Sequence, residues 1–107
     1  MTERLLYAVR SAITYRPGQP TRDEAYRRFI RTFPCVVCQS RWTEAAHTGP
    51  HGLGQKSDDF SCIPLCREHH RTGQRSYHRL GRARFEFAHR IEIAALIGMF
   101  QGWWGER

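Results

Sequence analysis

Two short ligand pairs constrain this chain more than any other feature: Cys35-Val-Val-Cys38 and, after 27 intervening residues, Cys66-Arg-Glu-His69. Each pair separates its members by two residues, so one tight turn presents both on the same side. Two such pairs close a tetrahedron around Zn2+. A redox reading of Cys35 and Cys38 lacks the strand and helix setting of a thioredoxin-type motif, and Pro34 precedes the pair instead of lying inside it. His70 competes with His69 for the fourth position, and the two-residue spacing favours His69. Cys62 lies four residues before Cys66 in an apolar stretch and reads as a small buried hydrophobe. A structural zinc with four protein ligands leaves no position for water, so any chemistry belongs elsewhere in the chain.

A chain of 107 residues makes about one domain, and a domain this small gains much from a metal staple. The net charge is +7, and Lys56 is the only lysine among 17 basic residues. Arginine meets phosphate through a rigid fork of donors, so this bias suits nucleic acid. No run of about 18 apolar residues is present, and the first 30 residues lack the apolar core of a secretory signal. Those features predict a cytoplasmic protein with no membrane partner. In that compartment cysteines rarely form structural disulfides, which favours metal ligation.

Residues 1–20 read as an N-terminal arm and linker, the arm a weakly amphipathic Met1 to Tyr15 and the linker Arg16-Pro-Gly-Gln-Pro20. Residues 21–107 read as a single domain. Thr21 as N-cap, with Asp23 and Glu24 in the first turn, predicts a helix from about Arg22 to Arg31. Two short strands are expected near Glu44 to His47 and near Phe60 to Ile63, joined by the glycine-flanked loop from His51 to Asp59. Pro64 suits the first turn of a helix reaching Thr72 and stopped by Gly73. Further helices are expected at about Gly81 to Arg90 and Ile93 to Gln101, with Phe85, Ala88, Ile93, Leu96, Ile97 and Phe100 as a packing face. Trp103 and Trp104 suit docking of the tail onto the core, or stacking on unpaired bases.

Between and after the zinc pairs lie Ala46-His47-Thr48-Gly49-Pro50-His51-Gly52, Lys56-Ser57-Asp58-Asp59, Pro64-Leu65-Cys66-Arg67-Glu68-His69-His70 and Tyr77-His78. Over about Cys35 to His78 this pattern resembles the HNH endonucleases, in particular zinc-containing members found in phages and prophages. The resemblance implies an α+β fold: a small zinc-stabilised ββα-metal (His-Me finger) core with flanking N- and C-terminal helices. It also implies that His47, at the end of the first strand, is the general base. His70, from the helix, would bind one divalent metal such as Mg2+ or Mn2+. The family's middle asparagine falls on an acidic position, and Asp59 is preferred to Asp58 because it directly precedes the apolar Phe60 strand. Many members carry an Asp or His directly before the base as a metal ligand, and this chain has Ala46 there.

Phosphodiester hydrolysis needs a base to deprotonate water and a cation to neutralise the phosphate and the leaving oxygen. With Ala46 in place of a ligand, His51, Asp59 and His78 are the candidates to help His70. On one unbroken helix His70 and His78 would lie about 12 Å apart, but a break at Gly73 lets Tyr77-His78 fold back, which favours His78. Arg41, Lys56, Arg67, Arg71 and Arg75 flank these groups and suit the phosphate backbone of DNA. The expected function is therefore a metal-dependent HNH endonuclease acting on DNA. The alternative is a catalytically inactive, zinc-stabilised DNA-binding module, and RNA remains open as substrate.

Overall fold

The computed structural model describes residues 21–49 and 58–107. The arm and linker of residues 1–20, together with His51 and Lys56, lie outside the described residues. Five helical segments and two strands follow one another as α1 (Glu24–Ile30), β1 (Thr43–His47), β2 (Cys62–Cys66), a π-turn (Glu68–Thr72), α2 (Tyr77–Leu80), α3 (Arg82–His89) and α4 (Ile93–Glu106). A short 3-10 turn, Asp59–Ser61, leads into β2. Among the described residues the chain is thus a small α+β protein with one two-stranded antiparallel sheet. No described helix is long and apolar enough to cross a membrane.

Helix α1 starts two residues later than the composition suggests. Its N-cap is Asp23, whose carboxylate accepts the Tyr26 amide at 3.0 Å. A carboxylate competes well for this role because it meets both the unpaired amides and the positive end of the helix dipole. Thr21 instead ties the domain's edge together: its amide donates to Asp58 and its carbonyl accepts from the Asp59 amide.

The larger correction concerns Pro64. It lies in the middle of β2, paired with Ala45, and does not open a helix. The N–H and C=O of a strand residue point to the same side, and the Pro64 carbonyl points away from β1 to accept the Val36 amide at 3.1 Å. The missing donor therefore costs no ladder bond. That contact docks the Cys35–Cys38 turn on the outer edge of β2. Strand β2 is buried at every residue and forms the centre of the molecule.

Around it Ile63, Leu65, Phe85, Ile93 and Phe100 pack with Tyr26 and Ile30 of α1. Tyr26 meets Phe60 at 4.8 Å and Trp104 edge-on at 5.4 Å between ring centroids, so α1, the 3-10 turn and α4 share one aromatic seam. Gln101 closes the seam by donating to the Phe60 carbonyl at 2.8 Å. Helix α4 accordingly runs past Gln101 to Glu106, because burying Trp104 rewards its last turn. The tail docks on the core, with Trp103 stacked against Phe33.

Candidate metal and histidine sites

Cys35, Cys38, Cys66 and His69 place one donor atom each within 4.8 Å of one another, a cluster that could hold a metal ion such as zinc. The separations test the fit. Ligands about 2.3 Å (sulfur) and 2.0–2.1 Å (nitrogen) from a tetrahedral ion lie about 3.8 Å apart as a sulfur pair and about 3.5 Å apart as sulfur and nitrogen. The Cys38 and Cys66 sulfurs are 3.7 Å apart, and His69 Nδ1 lies 3.3 Å from Cys66 Sγ and 3.9 Å from Cys35 Sγ.

The local fold explains this convergence. The Val37 amide points at Cys35 Sγ (3.4 Å) and the His69 amide at Cys66 Sγ (3.5 Å), so each turn aims a donor at its own sulfur. The first turn is held by Gln39 N–H to Cys35 O and Cys35 N–H to Ser40 O. It places Gln39 in the left-handed region (φ 67°), where a side chain is strained. Burial lowers His69 below its ordinary value and so favours the neutral, ligating ring. Burial also pushes the Cys66 thiol up to about 11, a preference for the protonated form that a bound dication would overcome. Cys62 is fully buried on β2, away from this cluster, and burial pushes its thiol up to about 12.

His69 and His70 reach opposite neighbours from one turn of π-helix. Its wide turn is closed by the Gly73 amide on the Glu68 carbonyl at 2.9 Å. A Cβ on Gly73 would lie 2.9 Å from that carbonyl oxygen, so close approach demands the glycine. The chain then reverses into α2, and the His70 and His78 rings meet edge to face with centroids 4.6 Å apart. The break at Gly73 thus brings together two histidines that a continuous helix would separate. Burial, then the neighbouring His70 and Arg71, lower His78 from its ordinary value.

His47 stands at the end of β1 beside Asp59. Its Nε2–H donates to Asp59 Oδ1 at 2.7 Å. Asp59 is fully buried and also accepts the Asp23 amide (2.7 Å) and Arg22 (3.3 Å), with Arg27 3.4 Å away. Burial alone would raise this carboxyl, but His47, the Asp23 amide and Arg27 outweigh it and hold it below its ordinary 3.8. Asp58 serves the turn instead, accepting the Phe60 and Thr21 amides. His47, Asp59 and Cys62 also place donor atoms within 4.8 Å of one another. In this triple Asp59 is already engaged by Arg22, Arg27 and the Asp23 amide.

The segment leaving His47 is fixed on two sides. Thr48 Oγ1 donates to the Ser61 carbonyl at 2.6 Å, and the Thr48 carbonyl accepts from Tyr77 Oη (3.3 Å) and Arg82 (3.1 Å). Tyr77 therefore links the end of β1 to the helix that carries His78. Among the basic candidates, Arg41 and Arg67 are exposed, Arg71 is paired with Glu44, and Arg75 donates to the Ala88 carbonyl. His89 packs on Phe85 and His69 and donates to the Arg75 carbonyl. Sequence reasoning missed Glu44, whose Oε1 lies 2.7 Å from His70 Nδ1. Its signal was strand alternation, which puts it on the same face of β1 as Ala46.

Fold and site together define a small α+β protein with a Cys3His cluster able to hold a metal and two histidine groups beside it. The chain belongs to the family described as "Protein of unknown function (DUF968)", whose model matches residues 15–101. It is similar to "Uncharacterized protein YdfU" of Escherichia coli (strain K12), at 38% identity over 50 residues. That match covers 44% of this chain and spans 14% of the relative's length. No solved structure matches.

Proposed function

We propose that this protein is a metal-dependent endonuclease of the HNH type that hydrolyses DNA phosphodiester bonds on a zinc-stabilised ββα-metal core. In this reading β1, β2 and the π-turn are the ββα unit. Zn2+ on Cys35, Cys38, Cys66 and His69 locks the Cys35–Cys38 turn to β2 and to the base of the π-turn.

The hydrogen bond from His47 to buried Asp59 is the observation that carries the proposal. With its proton on Nε2, directed at a carboxylate, the ring has its lone pair on Nδ1, the nitrogen that takes a proton from water. Asp59 holds the ring in one tautomer and stabilises it once protonated, as a carboxylate does for the histidine of a catalytic triad. The Thr48 contacts keep the strand end from shifting as the proton moves. His70 and His78 would hold a divalent ion such as Mg2+ or Mn2+, which supplies charge neutralisation at the phosphate and the leaving 3′ oxygen. Exposed Arg41 and Arg67, with the net charge of +7, favour a polyanionic substrate.

Nicking of supercoiled plasmid by the purified protein in Mg2+, Mn2+ or EDTA tests the proposal, with His47→Ala and His70→Ala alongside. Metal-dependent nicking that both substitutions abolish is the expected result. DNA binding without nicking in any condition would overturn it in favour of a zinc-stabilised binding module.

A further inference from the structure

We propose that Glu44 is a positioning residue that fixes His70 with its proton on Nδ1 and so leaves Nε2 as the nitrogen that meets the divalent ion. The inference rests on reading His70 as the metal-holding histidine. Ala46, on the same face of β1, is fully buried and has no donor, so Glu44 is the carboxylate this face offers. A carboxylate only accepts, so the 2.7 Å contact requires the His70 proton on Nδ1. A ring nitrogen that carries a proton cannot ligate, which assigns ligation to Nε2.

The carboxylate itself is held by a second grip. Arg71 donates through Nε to Oε1 (3.1 Å) and through a terminal nitrogen to Oε2 (2.8 Å), a two-point clamp with defined orientation. Glu44 thereby couples two consecutive residues of the π-turn to β1. Its side chain is about one-third exposed (34%), so its replacement leaves the core intact.

The test reads the His70 ring directly. Long-range 1H–15N spectra of the zinc-loaded protein at neutral pH report the tautomer, and titration with Mn2+ alone reports the affinity of the second site. Wild type is expected to show the proton on Nδ1. Glu44→Ala should move it toward Nε2 and weaken Mn2+ binding by about 10- to 100-fold, the usual effect of removing such a partner. Glu44→Gln keeps an oxygen at the position that both His70 Nδ1 and Arg71 Nε meet, and should rescue both readouts. His70 protonated on Nε2 in wild type, or an unchanged tautomer and Mn2+ affinity in Glu44→Ala, would overturn the assignment of Glu44 alone. Wild-type Mn2+ affinity in His70→Ala would overturn the reading of His70 itself, and the role of Glu44 with it.

Discussion

The Cys3His cluster and the two histidine groups beside it are built on opposite plans. In the cluster the four donor atoms already stand at nearly the spacing of a tetrahedral ion, and backbone amides steer the sulfurs. In the histidine groups His47 and His70 each have one nitrogen tied to a carboxylate, Asp59 for His47 and Glu44 for His70. The first plan suits an ion that stays, because every ligand position is taken by protein. In the proposed nuclease the second suits chemistry, because a carboxylate fixes the direction of His47 and of His70 through one nitrogen and leaves the other to act. The π-turn joins the plans, since its consecutive residues His69 and His70 serve one each.

On that contrast, removing the ion of the first plan has the largest expected effect. Cys38 is exposed, so Cys38→Ser opens no core cavity and its consequence reads the metal alone. Zinc binding in small metal domains contributes on the order of 10 kcal/mol. Cys38→Ser, or treatment with a strong chelator, is expected to release zinc and collapse the far-UV circular dichroism in one transition. Retention of the full helical signal without zinc would show that the aromatic seam suffices.

The second plan should fail in activity with the fold intact. His47→Ala is expected to slow nicking by about 10²- to 10⁴-fold, the range of general-base removal, with unchanged zinc content. Asp59→Asn should lose a similar factor, because the fixed Asp23 amide claims the one remaining oxygen and leaves the side-chain NH2 to donate to His47 and reverse its tautomer. It should also lose about 1–3 kcal/mol of stability, since the donors around buried Asp59 lose a charged acceptor. Chemical denaturation followed by plasmid nicking separates the two losses. A His47→Ala protein that nicks like wild type would place the base elsewhere.

The contrast also explains which parts of the molecule could be read in advance. The cluster was legible because its ligands come in short pairs whose geometry is local, and the partnership of His70 with His78 followed from the break at Gly73. Pro64 misled because its tolerance in β2 depends on Val36, a non-local partner at the strand edge. Glu44 was hidden for a similar reason: it lies 26 residues from His70 in sequence, and only the packed π-turn joins them. The tail of α4 was cut short because the reward for its last turn is burial of Trp104 against Tyr26 and Phe29.

Cys62 sharpens the boundary between the plans at lower cost. It is the one cysteine outside the cluster, and its thiol, pushed up to about 12, stays protonated at neutral pH. Cys62→Ala is expected to keep one zinc per chain and lose about 1–2 kcal/mol to a small cavity. Metal analysis with thermal denaturation checks both. A drop in bound zinc would bring Cys62 into the cluster.

The smallest effect should come from Glu44, and its pH dependence identifies it. Arg71 and His70 hold the Glu44 carboxyl down at about 2 from its ordinary 4.5. A depressed folded-state pKa contributes stability that is complete above the unfolded value and is lost only as pH falls through the folded one, here from about 4.5 to about 2. Between pH 8 and about 5.5 the ion pair is therefore constant, and its exposure keeps its contribution to that of a surface pair. Zinc binding changes across the same interval, because the thiolates take up protons and affinity falls with pH. Melting temperatures of wild type and Glu44→Gln should thus decline together toward pH 5.5 with a small fixed offset between them. An offset that changes within that interval would assign the contact's contribution to groups other than the Glu44 carboxylate.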